Sequence, residues 1–141
     1  MEANFNWEWL LRLLVAALCG ALIGWEREQV QRPAGLRTYM LVCFGSALFT
    51  LLSITAFATT GSTIDPGRIA AQVVVGIGFL GAGTVFREGN TVRGLTTAAG
   101  LWAMAAIGMA VGAKQYLLGV ISTGIVLIIL VLVRLFERRK K

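Results

Sequence analysis

The chain has 141 residues, 57 % of them hydrophobic and 14 % charged, with 13 basic and 7 acidic side chains and no histidine. That is too apolar for a soluble domain of this length, and the missing histidine removes Ser-His-Asp and Cys-His nucleophilic arrangements and every histidine metal site. The formal charge of +6 does not point to nucleic acid, because the basic residues border apolar spans instead of forming a basic face with interleaved polar groups. The expectation is a non-enzyme with no cofactor and no resident metal, whose first partner is the lipid bilayer.

In chain order, five apolar spans predict an all-α polytopic membrane protein, a bundle of about five transmembrane helices forming one domain over 1–141 with no soluble carboxyl-terminal domain. The first span, about 10–25, could imitate the apolar region of a signal peptide. Glu2 and Glu8 precede it where a signal peptide carries Lys or Arg, and the bulky Leu18 spoils a lipoprotein-like cleavage site before Cys19, so it is read as a retained helix. Glu8 and Arg12 are spaced i, i+4 and are expected to pair while Arg12 snorkels outward. The second span, about 39–59, carries Cys43, read like Cys19 as a small buried residue. The third covers about 69–86. The last two, about 98–113 and 116–133, are separated only by Lys114 and Gln115. As one helix, 98–133 would be about 54 Å long at 1.5 Å per residue, so a tight turn near 112–115 is expected.

The connections set the orientation, since cytoplasmic loops carry an excess of Lys and Arg. Arg27, Arg32 and Arg37, Arg87 and Arg93, and the tail Arg134, Arg138, Arg139, Lys140 and Lys141 fall on one side, leaving Arg12, Arg68 and Lys114 on the other. The amino terminus is therefore expected outside and the carboxyl terminus in the cytoplasm.

Helices associate in lipid through close backbone approach, which small residues at four-residue spacing allow. Ala16, Gly20 and Gly24 form such a stripe on helix one, Gly78 and Ala82 on helix three, and Gly108 and Gly112 on helix four. These imply tight packing within the bundle or between protomers of a homo-oligomer. Gly76-Ile77-Gly78-Phe79-Leu80-Gly81 matches the G-x-G-x-x-G of a dinucleotide-binding turn. It lies inside an apolar span with no preceding strand, so Gly76, Gly78, Gly81 and Gly83 are read as packing positions.

The densest polar groups lie on the cytoplasmic side: Glu26, Arg27 and Glu28, then Gly35, Arg37 and Thr38, then Arg87, Glu88, Arg93, Thr96 and Thr97. The bland reading is an interfacial salt-bridge network fixing helix ends, with Thr96 or Thr97 capping helix four. The functional reading is a face that binds a partner, a phosphate-bearing ligand or a cation. If the three clusters form one site, the charges of loops one and three are expected to cross-pair, since unpaired charge at low dielectric is costly. The helix centres carry only Ser46, Thr50, Ser122 and Thr123, whereas coupled carriers place ionisable groups there. Were a cation bound, Glu26, Glu28 and Glu88 inside and Asp65 outside are the carboxylates available to it.

Gly20-Ala21-Leu22-Ile23-Gly24-Trp25-Glu26-Arg27-Glu28, Gly35-Leu36-Arg37-Thr38, Gly78-Phe79-Leu80-Gly81-Ala82-Gly83-Thr84 and Gly94-Leu95-Thr96-Thr97-Ala98-Ala99-Gly100-Leu101-Trp102 together resemble the MgtC/SapB family of bacterial membrane proteins, in order and spacing across nearly the whole chain. The resemblance implies a five-helix membrane domain in the bacterial inner membrane, linked to growth at low magnesium, to survival of pathogens in host cells and to modulation of the membrane ATP synthase. It favours a regulatory role acting on another membrane protein, with a small magnesium channel or transporter as the alternative. The chain resembles a short form of the family, without the soluble carboxyl-terminal domain of long members. Thr96 and Ala103 stand where the virulence-type branch has Asn and Cys, which argues against a virulence role.

Overall fold

The computed structural model describes residues 6–57 and 65–139, with side chains to residue 136. Lys140, Lys141 and the end of span two at 58–59 lie outside the described residues. Five helices run in sequence: α1 (Trp7–Gln29), α2 (Leu36–Thr55), α3 (Gly67–Gly83), α4 (Leu95–Gly112) and α5 (Tyr116–Arg139). Between α3 and α4 the chain forms a short antiparallel hairpin, β1 (Phe86–Glu88) paired with β2 (Thr91–Arg93), with Arg87 opposite Val92. α1, α2, α4 and the Tyr116–Phe136 part of α5 are long and apolar enough to cross a membrane. The 17 residues of α3 rise about 26 Å, close to the minimum for a bilayer core. Its ends nevertheless reach both ends of the bundle. Ser53 near the end of α2 bonds Pro66 at its start, and Gly81 lies against Ala98 in the first turn of α4. The chain is an all-α, multi-pass membrane protein.

The helices begin and end within a few residues of the predicted spans, with physical reasons for the shifts. α1 runs four residues past Trp25 and stops where Gln31 takes a left-handed φ of 53°. There the Arg32 amide reaches the Arg27 carbonyl and the Gln31 amide the Glu28 carbonyl, a Schellman closure followed by Pro33. α3 ends at Gly83, short of the expected residue 86, because Phe86 to Glu88 enter the hairpin. The hairpin turns on Gly89 and Asn90, with positive φ at Gly89 supplying the twist that two-residue turns need. The predicted turn between α4 and α5 is present: Lys114 adopts φ 67°, and the Gln115 amide bonds the Ala110 carbonyl at 2.9 Å.

Packing follows the logic of lipid solvent. On α1 the large side chains Leu11, Leu14, Leu18, Leu22 and Trp25 point outward, while Ala16, Cys19, Gly20, Ile23 and Gly24 face the interior. A β-carbon at Gly20 would come within 2.6 Å of the Tyr39 carbonyl, and one at Gly24 within 2.7 Å of Leu36 Cα. On the other side of α2, Gly108 meets the Cys43 carbonyl, and a β-carbon on Gly112 would fall 2.6 Å from the Ala47 carbonyl oxygen. α2 is thus clasped between α1 and α4 by two glycine stripes. The third expected stripe is different: Ala82 is exposed and Gly76, Gly78 and Gly83 have open space around them. It is Ile77 and Gly81, also four apart, that α3 buries, because the turn of the helix sets that pair, and not Gly78 and Ala82, against α4. The whole G-x-G-x-x-G run is helical.

Candidate functional site

The alternating helices place the α1–α2 loop, the hairpin and the end of α5 together at one end of the bundle, here called the hairpin end. Charge-bearing side chains there are built in from α1. Arg27 is 3 % exposed, and its guanidinium donates to the Thr97 hydroxyl at 3.3 Å across to α4. Glu26 accepts from Arg134 of α5 at 2.6 Å and stands 3.7 Å from Arg27. Tyr39, fully buried, donates its hydroxyl to the Thr97 carbonyl at 3.3 Å. Two helices, α4 and α5, are therefore tied to α1 and α2 through Glu26, Arg27 and Tyr39 at this end. Gly100 makes room for the tyrosine, since a β-carbon there would fall 2.5 Å from its hydroxyl oxygen.

Glu28 has a local task. Its carboxylate accepts from the Leu36 amide at 2.8 Å and so caps α2 from the end of α1, in place of a side-chain cap that Gly35 cannot supply. A β-carbon on Gly35 would press on that carboxylate at 3.0 Å. The Glu-Arg-Glu and Gly-Leu-Arg-Thr motifs are thereby one interlocked corner.

The expected cross-pairing between loops one and three takes another form. Among the described residues, Glu88 pairs with Arg93 across the hairpin at 3.0 Å, and Arg87 donates to the Gly89 carbonyl at 2.9 Å. The hairpin brings residues three to seven apart together, so Glu88 and Arg93 satisfy each other locally and Arg87 meets a carbonyl two residues on, while Glu26 reaches α5. Neither Thr96 nor Thr97 caps α4. Its cap residue is Gly94, at φ 90° and against the Thr84 carbonyl, where any β-carbon would collide, and Thr97 is turned inward to Arg27. Arg37 and Thr38 face elsewhere, lining an apolar groove of about 780 Å³ between α2 and α3 with Leu41, Phe49, Val73 and Leu80.

What the hairpin end does create is a cleft of about 550 Å³ between the α1–α2 loop and the hairpin. Arg27, Arg93, Thr96 and Thr97 from the sequence motifs line it, together with Arg32, Pro33, Phe86 and Leu95. Sequence reasoning used Arg32 only for orientation and missed the apolar wall, because it took 87–97 as a loop and passed over Gly89-Asn90, a two-residue hairpin turn signal between Phe86 and Val92.

The opposite end carries a second ionic lock. Arg12 is 3 % exposed, not snorkelled outward: it donates to the Gly112 carbonyl at 2.8 Å and to Glu8 at 3.0 Å, the latter being the expected i, i+4 pair. Lys114 joins Glu8 at 2.7 Å. The Gly112 carbonyl is one of the last four of α4, which lack helical partners, and a cation there also complements the helix dipole. That gain explains why Arg12 turns inward.

Residues 13–139 match the MgtC family. Protein MgtC of Salmonella typhimurium is 52 % identical over 133 residues, which is 94 % of this chain and 55 % of the Salmonella protein. The Escherichia coli protein named putative magnesium transporter YhiD is 45 % identical over 127 residues, 87 % of this chain and 59 % of that protein. An uncharacterized protein of Synechocystis, slr0014, is 46 % identical over 128 residues, 91 % of this chain and 52 % of its own length. The chain thus spans a little over half the length of the curated relatives it matches. No solved structure matches it. With the family's sequence matched from the first helix to the end of the fifth, the chain belongs to the MgtC family.

Proposed function

We propose that the chain is a non-enzymatic regulatory protein of the bacterial inner membrane that serves adaptation to magnesium limitation by acting on another membrane protein, such as the ATP synthase. The hairpin end faces the cytoplasm in this reading, because among the described side chains it holds Arg27, Arg32, Arg37, Arg87, Arg93 and Arg134, against Arg12, Arg68 and Lys114 at the other end. The observation that carries the proposal is how the buried charges are engaged. Arg12, Glu26 and Arg27 hold helix ends together, and the polar side chains nearer mid-membrane, Thr50 and Thr123, bond back onto their own helices. These groups brace a scaffold that presents the hairpin and cleft to a neighbour. A photo-crosslinking residue at the exposed Val92 of the hairpin should, in membranes of magnesium-limited cells, capture one defined membrane protein. Recovery of self-crosslinked chain alone would count against the proposal. The name of the Escherichia coli relative favours a second reading, cation passage, in which Glu28 and Glu88 would stand at the inner mouth.

A further inference from the structure

The cleft at the hairpin end has an electrostatic imbalance that its own residues do not relieve. Arg27, Arg32 and Arg93 line it, and no carboxylate does. Arg93 is offset by Glu88 behind it, whereas Arg32 has no ion pair among the described residues. Arg27 is buried, and its Nε has no hydrogen-bond partner. The one carboxylate near Arg27, Glu26, sits 3.7 Å away and gives its closer contact to Arg134.

The 18-residue helix α4 begins in the same cleft, with Leu95, Thr96 and Thr97 on its wall and no side chain capping it. An uncapped helix start presents unpaired amides and the positive end of the macrodipole. A buried guanidinium next to a positive helix end is repulsive unless an anion lies between them. This is the reverse of the opposite end, where Arg12 meets the negative end of the same helix. Oriented amides with arginines form a recurrent phosphate-binding arrangement. The rest of the lining includes Pro33, Phe86 and Val92, which are apolar, and Phe86 and Val92 are about half exposed.

We propose that this cleft binds a phosphate group, held by Arg27, Arg32 and the first-turn amides of α4, with Arg93 at the rim. A phospholipid headgroup and a soluble phosphate share that chemistry. The inference concerns what the cleft holds and needs no partner protein, so purified chain in neutral detergent tests it separately from the regulatory reading. Thermal unfolding is followed with added phosphatidylglycerol, with phosphatidylcholine and with inorganic phosphate, for the wild type, for Arg32→Gln/Arg93→Gln and for Arg68→Gln at the other end of the bundle. Arg32 and Arg93 are exposed, so the double variant should fold.

A rise in melting temperature with phosphatidylglycerol but not phosphatidylcholine assigns the site to a lipid headgroup, and a rise with inorganic phosphate assigns it to a soluble phosphate. Either result supports the site if the apparent affinity falls about fivefold per arginine removed and Arg68→Gln binds like the wild type. No rise with either probe overturns the proposal. So does an equal loss in Arg68→Gln, which would mean bulk charge alone, or a double variant that binds like the wild type.

Discussion

Gly108→Leu is expected to abolish recovery of folded protein, and Gly108→Ala to lower it. In a helix interior alanine is ordinarily better than glycine by about 1 kcal/mol, so the sign at this position depends on what the new methyl meets. Here it meets the backbone carbonyl of Cys43 and the Ser46 side chain. Backbone of a helix clasped on both sides cannot yield as a flexible side chain would, so the cost should reach or exceed the roughly 1–3 kcal/mol of ordinary overpacking. Gly76→Ala is the internal control. A β-carbon there has open space, so propensity alone should act and stability should hold or rise. Monodisperse yield and melting temperature in detergent read both. If Gly108→Ala and Gly76→Ala behave alike, α4 does not approach α2 as described.

Arg12→Met should be the most damaging change among the charged residues at the end opposite the hairpin. Methionine keeps much of the length and apolar stem but leaves the Gly112 carbonyl without its donor, a loss of about 1–3 kcal/mol for a buried polar group. Glu8 retains Lys114 and is about a third exposed, so its share is small. Arg12→Lys should recover only part, since one ammonium cannot reproduce a guanidinium that reaches a carbonyl and a carboxylate through separate nitrogens. Glu8→Gln should cost well under half as much as Arg12→Met. Equal melting temperatures for Arg12→Met and wild type would place Arg12 in solvent, as a snorkelling side chain.

The residues show why some of this was legible from sequence and some was not. Span number, the 112–115 turn, the inward stripes at Gly20/Gly24 and Gly108/Gly112, and the Glu8–Arg12 pair all depend on local spacing, which a sequence displays directly. Arg12 to Gly112, Arg27 to Thr97 and Glu26 to Arg134 join residues 70 to 108 positions apart. Those partners are set by which helices become neighbours. The stripe on α3 failed by one residue because glycine spacing alone does not fix a helix's rotation about its axis. The hairpin was hidden by its shortness, three residues per strand, in a segment that read as the loop after the third span. The four family motifs marked the hairpin end as one region, and the structure divides it: Glu26, Arg27 and Thr97 tie helices, Glu28 and Gly35 form a corner, Arg37 and Thr38 line the α2–α3 groove, and Arg93 and Thr96 line the cleft.

The central claim, that the charges at the hairpin end brace a regulatory scaffold and do not conduct ions, is tested most directly by magnesium flux into liposomes containing the purified chain. The account predicts uptake no greater than into protein-free liposomes, with or without a membrane potential. Saturable magnesium uptake that is lost on Glu88→Gln, an exposed position whose change leaves the helix ties intact, would contradict it and establish cation passage instead.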